Sequence, residues 1–168
     1  MNNEITETLK LACSGTTAFL GIGNTDRNDD GAGVALCRLL AAGGVPNVFE
    51  GGMQPEKVLG DIRDQRFDSV IFVDAMDLNS EPGAFTILDA QELVSRFPQI
   101  STHKLSLGTL AHILAEGTDT KVWLVGIQPK SIDMDSAGLS GARISAEVTS
   151  TIFLLVREIT NVQEPVCR

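Results

Sequence analysis

The sequence predicts an α/β three-layer sandwich: a twisted, mostly parallel sheet of about five strands with helices on both faces. Three observations predict it. The chain has 168 residues, of which 43% are apolar types, enough for one packed domain without disulfide staples. Its most apolar runs are short and nearly continuous, as in strands buried on both faces. Those runs alternate with segments whose apolar residues recur every three or four positions, and parallel neighbours need such helical crossovers.

The elements follow in order. Residues 1–15 are weakly patterned, although Glu4, Glu7 and Lys10 fall on one side of a short helix. Ala18–Gly23 is the first firm strand. Val34, Cys37, Leu40 and Ala41 recur at helical spacing until Gly43-Gly44 stops them. Asn47–Glu50 is a brief second strand, and 54–65 reads as a helix with Pro55 in its first turn. Val70–Val73 is a third buried strand ending at Asp74. Ala84–Leu88 alternates weakly and suits an antiparallel edge. Asp89 with Glu92 forms a capping-box pattern for a short helix. A further helix carries Leu107, Leu110, Ala111 and Leu114, and Val122–Ile127 is the last strand. Ser140 is placed to cap a final helix striped by Ile144, Val148, Ile152, Leu155 and Ile159. No internal repeat, low-complexity tract or linker divides the chain, so a single domain over 1–168 is expected.

Charge narrows the function. Lys and Arg number 13 against 22 Asp and Glu, a net charge of −9. Nucleic-acid and anionic-membrane binding both want clustered cations, so neither is expected. No apolar run approaches the length of a membrane span, the longest aliphatic and aromatic stretch being Ile152–Val156. The first residues lack a signal-peptide pattern. Cys13, Cys37 and Cys167 are odd in number and far apart, which suits a reducing cytoplasm and gives no thiolate metal cage.

In open α/β sheets, sites gather beyond the carboxyl ends of the strands. Three polar clusters belong there: GNTDRNDDGAG at 23–33, Asp74 with Asp77, and the loop Ser101-Thr102-His103. Asp30, Asp74 and His103 are distant in sequence yet assigned to one sheet edge. Two carboxylates and an imidazole suit a borderline metal such as nickel, zinc or manganese. Bland roles compete: Asp29 or Asp30 is equally placed to cap the following helix, and Gly21, Gly23, Gly31 and Gly33 to permit tight turns. His112 lies on a helix face and reads as structural or solvent-exposed. Gly21-Ile22-Gly23 opens a dinucleotide fingerprint, but Asp26 stands where the third glycine belongs and would repel a pyrophosphate. No Walker sequence, no Gly-x-Ser-x-Gly elbow and no cysteine with a partner base is present.

Taken together, GIGNTDRNDDGAG at 21–33, EGGM at 50–53, VDAM at 73–76, PG at 82–83, STHKLSL at 101–107 and GIQP at 126–129 resemble the hydrogenase maturation protease family. The resemblance covers about residues 17–158, and the STH and GIQP segments are similar to the branch serving formate-linked or energy-converting hydrogenases. It implies a five-stranded sheet between helices, in agreement with the reading above. It also implies an endopeptidase that removes a C-terminal extension from a nickel-iron hydrogenase large-subunit precursor after nickel insertion. The implied nickel contacts are Asp30, Asp74 and His103, with Asp30 and Asp74 as the catalytic candidates. The implied partner is the nickel-loaded precursor, with nickel supplied by that substrate and zinc or cadmium able to stand in for it. A cytoplasmic monomer is expected. Two roles for the metal stay open: polarising the scissile carbonyl for attack by water, or positioning the peptide while a carboxylate handles protons. An aspartic-type shared proton would be opposed by a bound cation. A different metal-dependent peptidase on the same fold and a nucleotide-binding α/β enzyme are the alternatives. Gly51-Gly52 is expected to bring the backbone close to substrate.

Overall fold

The computed structural model describes residues 3–96, 106–134 and 143–163. Among them a five-stranded sheet runs β2-β1-β3-β5-β4, formed by β1 (Thr17–Ile22), β2 (Val48–Gly52), β3 (Ser69–Ala75), β4 (Phe85–Asp89) and β5 (Lys121–Ile127). All neighbours are parallel except β4, which pairs antiparallel with β5 as an edge strand. The helices are α1 (Asn3–Ala12), α2 (Ala32–Ala42), α3 (Leu59–Gln65), α4 (Ala90–Arg96), α5 (Leu107–Ala115) and α6 (Ala146–Gln163).

The strand alternation sorts the core into two layers. Phe19, Ile71, Val73, Trp123 and Val125 pack with Leu9 of α1, Leu36 and Leu40 of α2, and Val148, Ile152, Leu155 and Ile159 of α6. Ala18, Leu20, Val70, Phe72 and Leu124 pack on the other side with Ile62 of α3, Leu93 of α4, and Leu110 and Leu114 of α5. Each face of the sheet therefore carries three helices, and β1, β3 and β5 are buried on both sides. That double burial is why their sequences are nearly all apolar.

Three local expectations change. The helix expected over 54–65 is a 3₁₀ turn at Pro55–Lys57 followed by α3, divided at Val58, whose φ of −102° and ψ of −4° leave the α-helical range. The last helix starts at Ala146, after Ile144, and the Ser145 hydroxyl accepts a 3.4 Å bond from Val148 N at its first turn. Ser140 lies outside the described residues. The polar N-terminal stretch is a full helix, held by Leu9 and Ala12, both fully buried. The capping box at α4 forms as read: Asp89 Oδ1 accepts from Gln91 N and Glu92 N at 2.8 Å, and Glu92 Oε2 accepts from Asp89 N at 3.3 Å.

Candidate active site

The sheet order places a switch point between β1 and β3. From β1 the chain crosses outward to β2, whereas β3 lies on its other side and leads on to β5 and β4. A crevice opens outside the carboxyl ends of strands at such a point. Asp30 follows β1 in the 3₁₀ turn Asn28–Gly31, and Asp74 is the penultimate residue of β3. Both are buried, with 6% of their surface exposed. The structure thus brings these two predicted residues to one crevice. His103 lies outside the described residues. Among the described residues, no group of three or more His, Cys, Asp or Glu forms a metal cluster.

Two glycines let the crevice close. A Cβ on Gly33 would overlap the carbonyl oxygens of Val73 and Ile22, so only glycine allows the first turn of α2 to rest on the ends of β1 and β3. Gly23, at φ +124°, runs against the Asp30 backbone, where any side chain would collide with the Asp30 carbonyl oxygen. A Cβ there would also lie 3.8 Å from Asp74 Oδ1, which places both acids around this one glycine.

The electrostatics follow from this packing. Burial, and then the neighbouring Asp30 charge, push the Asp74 carboxyl up from the ordinary 3.8 to about 8, against a lowering hydrogen bond from the Ala75 backbone. Asp30 Oδ2 accepts a 3.0 Å bond from Asn24 N. The site therefore holds two acids close together in a poorly solvated crevice. A divalent cation between them would relieve both burial and mutual repulsion, so this donor set fits a metal ion.

Asp29 and Asp30 have separate duties, and neither caps α2: its N-cap is Gly31, with no side-chain cap. Asp29, 1% exposed, instead accepts backbone N–H bonds from Lys130 at 2.8 Å, Ser131 at 3.3 Å and Ser145 at 2.6 Å. Sequence reasoning could not assign this role, because those donors lie more than a hundred residues away. His112 is exposed on α5, as expected. Burial pushes the Cys37 thiol far up and the Cys13 thiol to about 11, so neither is a ready nucleophile.

A cleft of about 480 Å³ opens beside the pair, lined by Gly23–Asp26, Arg38, Glu50–Gln54 and Lys57. Gly51 lines this cleft, and on its inner side a Cβ would meet Leu20 and the Pro55 ring at 2.9–3.0 Å. Internal packing demands that glycine. Gly52 has a φ of +53°, and a Cβ there would make an ordinary 3.9 Å contact with the Gly23 carbonyl oxygen.

Comparison with known proteins gives these features a context. A family profile described as HycI, hydrogenase maturation protease, matches residues 36–162. The Hydrogenase 3 maturation protease of Escherichia coli K12 is 35% identical over 116 residues, covering 68% of this chain and 73% of that protein. The crystal structure of the [NiFe] hydrogenase maturation protease HycI from Thermococcus kodakarensis KOD1 superposes with a TM-score of 0.77 at 29% identity, over 92% of this chain and 97% of that one. The solution structure of the endopeptidase HycI from Escherichia coli gives 0.72 at 26% identity, over 89% and 92%. A fold with its acids at the β1/β3 switch point and relatives of this kind have one common explanation: the chain is a peptidase and belongs to the hydrogenase maturation protease family.

Proposed function

We propose that this enzyme removes the C-terminal extension of a nickel-iron hydrogenase large-subunit precursor after nickel has been inserted. The observation that carries the reading is the buried Asp30–Asp74 pair at the switch point, next to a cleft large enough for an extended peptide. Nickel enters as part of the substrate, and Asp30, Asp74 and His103 complete its coordination. Oxygen and nitrogen donors do not by themselves select nickel over zinc. The precursor's own nickel ligands then supply the selectivity, and cleavage becomes a checkpoint for metal insertion. Hydrolysis adds one water across the scissile amide and needs a proton for the leaving amine. With the cation bound, a carboxylate of the pair would be ionised, and would take a proton from the attacking water and return it to the leaving amine. The reading is of a cytoplasmic monomer. Two buried, reduced cysteines support the compartment.

The test incubates the purified protein with candidate large-subunit precursors, with and without inserted nickel, and reads the C-terminus by mass. Cleavage of the nickel-loaded form alone is expected. Efficient cleavage of the nickel-free form overturns the checkpoint, and failure on every loaded precursor favours another peptidase substrate.

A further inference from the structure

We propose that Asp29 is a positioning residue that holds Asp30 in the crevice opposite Asp74, an inference that rests on the catalytic reading of that pair. The loop 23–31 is attached to distant chain through a cluster of bonds centred on Asp29. Its Oδ2 accepts from Lys130 N and Ser131 N, its Oδ1 accepts from Ser145 N, and its own N–H donates to Ser131 O at 3.0 Å. The flanking residues bind the same two segments: Arg27 Nε donates to Ile132 O at 3.0 Å, and Arg143 N donates to Asn28 Oδ1 at 3.3 Å. Among the described residues, the bonds of this sort at Asp30 are local: its N–H donates to Arg27 O and its Oδ2 accepts from Asn24 N. Asp30 therefore takes its place from the neighbour one residue before it in the same 3₁₀ turn.

The chemistry of the anchor explains why it is a carboxylate. Three converging backbone donors need lone pairs on two oxygens, and ionised Asp offers only acceptors. Asn would turn an NH₂ group toward at least one donor. Glu would keep both oxygens but push the turn outward by a methylene. The same anchor ties the loops after β5 and before α6 to the acidic turn, so three stretches of chain at this end of the sheet share one register.

The direct reporter is the Asn24 amide, which donates to the Asp30 carboxylate. Two-dimensional ¹H–¹⁵N spectra and amide exchange are recorded on full-length wild type and Asp29→Asn, with mass-based processing of nickel-loaded precursor in parallel. The Asn24 resonance should move upfield and its amide exchange about tenfold faster, while β3 and β5 amides keep their shifts. Processing should lose about ten- to a hundredfold in kcat with KM within about twofold, the pattern of a displaced reacting group. Asp29→Glu is the second variant, read in the same way should Asp29→Asn not fold. An unchanged Asn24 amide overturns the proposal, as does an unchanged kcat beside an active wild type. Failure of both variants to fold also overturns it, because Asp29 then supports the whole fold and not one acid. Should wild type cleave no precursor, the functional reading fails, while the Asn24 amide still decides the role of Asp29.

Discussion

Asp74→Asn should make the metal-free protein more stable while making it unable to process precursor. The magnitude comes from linkage. The Asp74 carboxyl titrates near 3.8 when unfolded and near 8 when folded. Its folded value is raised, so its stabilising effect is complete below 3.8 and is lost as pH climbs toward 8. Between those values the folded chain keeps a proton that the unfolded chain releases, and stability falls with rising pH. At about 1.4 kcal/mol per pH unit, the interval from 3.8 to 7 sets a ceiling of about 4 kcal/mol. Asn keeps the shape and an acceptor for the Ala75 N–H but carries no charge. Burying its amide takes back about 1–2 kcal/mol. The net gain at pH 7 is then about 2–3 kcal/mol, or about 4–12 °C in Tm for a chain of this size.

Thermal melts of wild type and Asp74→Asn in a chelating buffer, from pH 4 to 8.5, test this. Near pH 4 the variant should be about 1–2 kcal/mol less stable than wild type, the curves should cross near about pH 5, and the variant should gain steadily toward pH 8. A variant equal to or less stable than wild type at pH 8 would refute the reasoning, as would a constant difference across the range. The trade is common at catalytic sites, where a group useful in the complex is costly in the free enzyme.

Other consequences are as sharp. His103→Ala should lose at least about 90% of processing with an unaltered circular dichroism spectrum, as expected of a ligand and not a core residue; full activity removes His103 from the site. Gly33→Ala should cost about 1–3 kcal/mol in urea unfolding, because its methyl group would overlap the Val73 and Ile22 carbonyl oxygens; a neutral result would mean that α2 does not rest on those strand ends. Arg38→Ala should change stability by under about 1 kcal/mol, since its 2.8 Å ion pair with Glu50 joins side chains 58% and 49% exposed. A larger loss in the same urea titration would show that this pair braces the cleft.

How far the sequence was legible depends on the range of the forces involved. The five strands and most helices could be read because burial on two faces leaves apolar runs, and burial on one face leaves a stripe, each visible within a dozen residues. The N-terminal helix was faint, since its stability comes from Leu9 and Ala12 meeting α6 and the sheet and not from its own pattern. Asp30 and Asp74 could be assigned to one crevice because both follow strands of an open sheet, and the structure places them there. At Gly51 the sequence could not show the packing demand, because the Leu20 and Pro55 atoms that crowd a side chain there belong to tertiary structure.

The hardest part was two adjacent acids of the same type. Nothing local distinguishes Asp29 from Asp30, and either suits a helix cap. The distinction is made by donors: N–H groups 101, 102 and 116 residues downstream converge on Asp29, and none of these donates to Asp30. Three fixed backbone donors take most of the acceptor capacity of Asp29 and tie its charge to the turn. Asp30 receives a single loop N–H and faces a second carboxylate whose proton its charge helps to retain. Among the described residues, Asp30 keeps more free acceptor sites than Asp29, as its proposed role toward a substrate-borne cation needs. The role proposed for Asp30 thus leans on the bonds that already engage Asp29.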